Sequence, residues 1–266
     1  MQQNQLPPEP DPWAEEDLVE DDDKGALDRF AEAFTSPSEA FEGLNRSPRR
    51  GSIIGWGFAI GIVVALFSTA LLTSNTALVH AMSSKMLQKF EQKHEAGEIN
   101  DEQYQQIVKQ AEEADNPQGF AKVRPYLAAP VQYAIGWSIA ALVVFGIAHA
   151  LKGDDVEIKY STSLAMYLIA LMVPLLEMII YSIGAYFTSD PAFSLDPNLL
   201  IRSTDPMIRT VLGMLGPLTL WWFYLIGTGI ATISGGSRTR AIVIWVVLHV
   251  IVQGALMAFK VFIGLA

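Results

Sequence analysis

Five long apolar runs, set apart by short polar segments, dominate the pattern of the chain. The first begins near Ile53 and stays apolar through Leu72, and four more cover about 127–151, 160–187, 207–233 and 240–263. A helix rises about 1.5 Å per residue, so about 20 apolar residues cross the hydrocarbon core, and every run is long enough. Lipid offers no partner to a backbone N–H or C=O, so segments of this kind satisfy their own hydrogen bonds as helices. The separators are polar: Lys152-Gly153-Asp154-Asp155, a Pro-bearing stretch over 188–206, and a Ser/Gly/Arg loop over 234–240. Tyr126, Tyr160, Tyr186 and Phe187 stand at run ends, where aromatic rings suit the interface. The pattern predicts an all-α membrane protein, a five-span transmembrane helical bundle.

Helical periodicity also appears outside the spans. Leu27, Phe30, Ala31 and Phe34 share one helical face, and Ala40, Phe41 and Leu44 another. Between them, Ser36-Pro37-Ser38-Glu39 predicts a helix start, with Ser36 as N-cap, Pro37 at the first helical position and Glu39 closing a capping box. Two short amphipathic helices this close to a span are expected on the bilayer surface or against the bundle. After Leu72 the period continues through Met82, Met86, Leu87 and Phe90, so the first helix is expected to run on out of the membrane. Residues 94–100 break it, and Asn100 with Gln103 signals a second helix carrying Tyr104, Ile107 and Val108. The segment 83–115 therefore reads as an extramembrane helical hairpin between spans one and two. The chain divides into a disordered acidic tail (1–25), amphipathic surface helices (26–50), a first span (51–82), the hairpin region (83–125) and four further spans (126–266).

Composition agrees with the pattern: 51% of residues are hydrophobic and only 17% charged. The formal net charge of −10 belongs to one end. Residues 1–23 hold nine acids and no Lys or Arg, leaving 18 basic and 19 acidic residues for the rest. Such a tail cannot bury enough apolar surface to order itself. No Cys is present, which excludes disulfides, thiolate metal sites and thiol nucleophiles. The four His are far apart and none has metal-ligand spacing. Arg46, Arg49 and Arg50 abut the first span, and Arg238 and Arg240 occupy a tight loop on the same side. This density places the N-terminus in the cytoplasm and the C-terminus outside, and assigns these five arginines to lipid headgroups and the interface.

Candidate chemistry centres on Glu177, near the middle of the third span and one turn after Pro174. An ionisable group there is costly and is expected to face the bundle interior or a wet cavity. Pro174 frees the carbonyl of residue 170, and Tyr181 and Gly184 share the face of Glu177. On the fifth span Trp245, His249 and Gln253 form a stripe at four-residue spacing; counted from the span midpoints, Gln253 matches the depth of Glu177 and His249 lies about a turn away. These residues predict a buried polar cluster of Glu177, Tyr181, His249 and Gln253. It is either a proton- or ligand-linked site or interhelical glue. A single acid makes a poor relay, which favours glue. Gly216-Pro217 predicts a kink in the fourth span, with the following aromatic run in the core or facing lipid. Gly51-x-x-x-Gly55 and Gly57-x-x-x-Gly61 let helices approach the first span closely. No catalytic nucleophile motif, phosphate-binding glycine loop or zinc helix is present.

The segment 28–50, with Phe34-Thr35-Ser36-Pro37-Ser38-Glu39-Ala40-Phe41 at its core, resembles the opening of bacterial members of the Yip family. The order of parts over residues 27–263 resembles that family too: one span, a hairpin, then four closely spaced spans. The resemblance implies a five-span fold, a prokaryotic cytoplasmic membrane, and a non-enzymatic role as scaffold or adaptor in membrane organisation or trafficking. An Asp-Leu-Tyr-Gly-Pro-like motif of the eukaryotic members is missing, which speaks against Rab binding. The partners expected are membrane lipids and a protein engaging residues 1–25 or 83–115, with self-association open and nucleic acid not expected. No cofactor and no metal are expected. The alternative is a small transporter or channel subunit built on Glu177.

Overall fold

The structure, a computed structural model, describes residues 24–201 and 206–262. The acidic tail predicted over residues 1–25 thus lies, but for its last two residues, outside the described residues. The described residues form helices and no strand: α1 (Ala26–Thr35), α2 (Pro37–Phe41), α3 (Arg50–Ser74), α4 (Thr76–Glu95), α5 (Asp101–Asp115), α6 (Phe120–Leu151), α7 (Tyr160–Ala170), α8 (Met172–Thr188), α9 (Asn198–Ile201), α10 (Pro206–Met214), α11 (Pro217–Ser234) and α12 (Arg238–Phe262).

Four helical units are long and apolar enough to cross a membrane: α3, α6, α7 with α8, and α12. A fifth forms when α10 and α11, bent by 59° at their junction, are taken together. Contacts at the two ends show how they alternate. At one end the Gly153 N–H donates to the Ser234 carbonyl (3.2 Å), and Arg50 donates to Thr162 Oγ1 (2.9 Å). At the other, Thr73 meets the Tyr126 hydroxyl (2.9 Å) and Asn75 donates to the Tyr186 carbonyl (2.6 Å). The chain ends α8 at the second end and α11 at the first, so α10 and α11 carry it back as one bent crossing. Five crossings result.

The span α7–α8 is the centre of the bundle, with 61% of its apolar stretch buried against 6% for α12. Met166, Leu168, Ile169, Leu225, Ile226 and Ile230 fill the core around it. Val63, Phe67, Ile135, Ile139, Val247 and Ile251 are exposed on the outer faces of α3, α6 and α12, as the apolar surface of a lipid-facing bundle must be. Of the two Gly-x-x-x-Gly pairs, only the second is used. A Cβ on Gly57 would fall 2.8 Å from Leu168 Cβ and one on Gly61 would strike the Trp137 ring, whereas Gly51 and Gly55 face open space.

The N-terminal helices are docked on the bundle, α1 against α3, α7 and α8, and α2 against α11. Phe41 and Ala40 are fully buried, and Leu44 nearly so, as their shared face predicts. The buried face of α1 differs from the expected one. It carries Ala26, Arg29, Phe30 and Ala33, while Leu27 and Phe34 are exposed. A buried arginine decides the rotation. Arg29 donates to the carbonyls of Ala40 (2.7 Å) and Glu42 (2.9 Å), satisfying groups left open at the end of α2. Burial pushes this guanidinium below its ordinary pKa, with Glu32 and Glu42 opposing the shift. Ser36 and Pro37 do start α2, but the expected capping box is unmade, since the Ser36 side chain caps nothing. The N-cap contact that forms is at α1, where Asp28 accepts from the Gly25 N–H (3.2 Å).

The first helix also ends earlier than its periodicity suggests. It breaks at Asn75, whose side chain accepts from the Leu78 N–H (2.9 Å) and starts α4 afresh. Helices α4 and α5 then form the hairpin. Asn100 and Gln103 make the reciprocal cap expected of them, at 2.8 and 3.1 Å. His94 stacks on Tyr104 and meets Asp101 (2.7 Å) near the tip, and His80 meets Asp115 (2.9 Å) at the base.

A half-open cavity at Glu177

A cavity of about 380 Å³ lies among α7, α8, α10, α11 and α12. Its walls include Tyr167, Pro174, Glu177, Thr210, Thr219, Trp222, His249 and Gln253. Each helix contributes for a local reason. Pro174 has no N–H to give the Ala170 carbonyl, and the helix breaks at Leu171, between α7 and α8. The break leaves Tyr167, Leu171, Pro174 and Glu177 on one face toward the cavity. Gly216 ends the turn after α10 and Pro217 occupies the first position of α11, so the 59° bend opens a gap beside Trp222. The kink positions Pro174, Gly216 and Pro217 thus all border or create this space.

The structure brings together three of the four residues expected to cluster. Glu177, His249 and Gln253 line the cavity, and His249 Nε2 lies 3.5 Å from Gln253 Nε2, a long contact. They are half-buried, so the expected buried cluster is instead the lining of an open cavity. Among the described residues Glu177 has no hydrogen-bond or ion-pair partner. Tyr181 points elsewhere and reaches the Pro191 carbonyl (3.5 Å) in the loop after α8. That loop folds back onto the bundle, with Phe193 against Gly184 and Asp196 beside Gly213 and Gly216. Trp245 is buried edge-on against Trp222, and His249 sits edge-on to Trp222 and Phe223.

Sequence reasoning missed Tyr167, Thr210, Thr219 and Asp196, and it assigned Trp222 to the core or the lipid face. Tyr167 was detectable, because it lies seven residues, about two helical turns, before Pro174 on the same face. The others belong to segments whose approach depends on the bend at Gly216.

The five arginines all lie at the end of the bundle opposite the hairpin, in two states. Arg46, Arg49, Arg238 and Arg240 are exposed. Arg50 is half-buried and donates to Thr162 and to the Asn45 carbonyl (3.1 Å), so it braces the bundle end. Arg238 donates to Tyr224 (3.2 Å) and to Ser38 (3.0 Å), tying α2 to α11 and α12. The loop between them is a tight turn, with Gly235 in the left-handed region at φ 68°.

Four long apolar spans, a bent fifth and an all-helical bundle define a multi-pass integral membrane protein. Comparison with protein families gives the more particular answer. The Yip1 domain model matches residues 31–259, most of the chain, and the protein belongs to that family. No curated protein and no solved structure matches it.

Proposed function

We propose that the chain is a non-enzymatic membrane scaffold or adaptor, embedded in a cytoplasmic membrane with its N-terminus in the cytoplasm. The observation that carries this reading is the α4–α5 hairpin. Its two helices pack chiefly on each other, and it joins the bundle through the capped break at Asn75. Such an arm displays a polar surface of 40 residues, from Thr76 to Asp115, while adding little to the core of the bundle. A helical arm held at a fixed angle by capped ends is suited to a protein partner. The family membership points the same way.

The test is a mild-detergent pull-down of the tagged protein from its native membrane. One variant replaces residues 76–115 by a short flexible linker, and a second lacks residues 1–23. The reading expects a stoichiometric partner with the full chain and its loss with one of the two deletions. Equal recovery of the same proteins from all three forms would contradict it. The cavity at Glu177 favours a second reading, a small transporter or channel subunit, which flux of a labelled solute into proteoliposomes would reveal.

A further inference from the structure

Glu177 occupies a membrane span, lines a cavity and has no partner among the described residues. An unpaired carboxyl group in such a place calls for a counter-charge or a proton. Among the described residues no Lys or Arg lines the cavity. Arg209 on α10 is exposed and is not among the lining residues. Asp196 adds a second acid close by, with its Oδ2 3.6 Å from where a Cβ on Gly213 would stand. Among the described residues an anionic ligand would therefore meet acids and no cation. A wholly apolar ligand would leave Glu177 unpaired. A hard metal ion needs several oxygen ligands, and no group of three His, Cys, Asp or Glu able to hold one occurs among the described residues.

The remaining lining suits a positive organic group. Tyr167 and Trp222 are aromatic walls, and the face of such a ring attracts an ammonium most strongly where water is scarce. Thr210, Thr219 and Gln253 add neutral hydrogen-bonding groups. A volume of about 380 Å³ holds an ammonium headgroup together with part of the chain that bears it. We propose that this cavity binds an organic ammonium group, with Glu177 as its counter-ion and Tyr167 and Trp222 as its aromatic walls. The site is distinct from the hairpin and does not depend on the adaptor reading.

The ammonium can come from a lipid headgroup or from a soluble amine, and two arms separate these sources. In the first, the full chain is placed in nanodiscs of phosphatidylglycerol mixed with phosphatidylethanolamine or phosphatidylcholine, and retained lipids are read by native mass spectrometry. In the second, tetramethylammonium is titrated into phosphatidylglycerol nanodiscs and followed by tryptophan fluorescence. The proposal expects at least tenfold enrichment of an ammonium lipid, or saturable binding of the soluble probe, in at least one arm. Glu177→Gln should weaken that binding about tenfold, Trp222→Leu severalfold, and Glu177→Asp should retain a large part of it. Helical circular dichroism identifies any variant that fails to fold, and the other variant then decides. Absence of binding in both arms overturns the proposal. So does binding that survives unchanged in the folded variants.

Discussion

Replacing Arg29 with methionine removes the two hydrogen bonds to the Ala40 and Glu42 carbonyls while keeping most of the side chain's bulk. Hydrogen bonds from a charged donor are worth about 1.5–3 kcal/mol each, and their loss leaves two carbonyls short of partners. Against this, the protein no longer buries a cation, which is costly in itself. A guanidinium is not deprotonated in proteins, so Arg29 is buried as a cation. The balance is a weakening of α1–α2 docking by about 2–3 kcal/mol, which multiplies the undocked population about 30- to 150-fold. The chain contains no cysteine, so Ala40→Cys introduces a single thiol at a fully buried position. Its maleimide labelling rate in membrane vesicles then reports the undocked fraction. Arg29→Met should raise that rate at least tenfold, and Arg46→Met, at an exposed position, should leave it unchanged. A labelling rate that stays within threefold of the parent after Arg29→Met would refute the assignment of Arg29 as the brace of this segment.

Other substitutions test the packing and the caps. Gly57→Ala drives a methyl group against the fully buried Leu168 and should cost about 1–3 kcal/mol in detergent unfolding. Gly51→Ala, which meets nothing, should be neutral or stabilise by up to about 1 kcal/mol; equal losses at both positions would contradict the packing assigned to α3. Asn100→Ala should cost about 1 kcal/mol of hairpin stability, seen as faster hydrogen exchange at the Gln103 amide. Asn75→Ala removes the α4 cap and the bond to the Tyr186 carbonyl, and should speed proteolytic cutting within α4–α5 without changing the thermal midpoint of the bundle.

Much of the architecture is legible in the chain itself, because the bilayer simplifies the problem. A run such as residues 53–72 has one structure open to it in lipid, and its length alone says that it crosses. Local signals read equally well where their partners are three residues away. Asn100 and Gln103 cap α5, and Pro217 opens α11, as their sequence positions require. That Gln253 comes to the depth of Glu177, with His249 about a turn away, also follows from counting residues along spans that run in the same direction, and all three line the cavity.

What the chain pattern could not decide depends on contacts between distant segments. Leu27 and Phe34 carry the apolar signal of α1, yet the helix turns Arg29 inward, because the open carbonyls at the end of α2 are strong acceptors 11 and 13 residues away. Arg50 and Arg238 have the sequence context of headgroup ligands, but Thr162 and Ser38 reach them from other helices. The Glu177 cluster became a half-open cavity because the breaks at Leu171 and Gly216 hold the spans apart there, and a break's direction is set by the neighbours it packs on. Periodicity reports which residues share a face. Which face is buried, and against what, is decided by the free energy of pairing groups that only the folded bundle brings within reach.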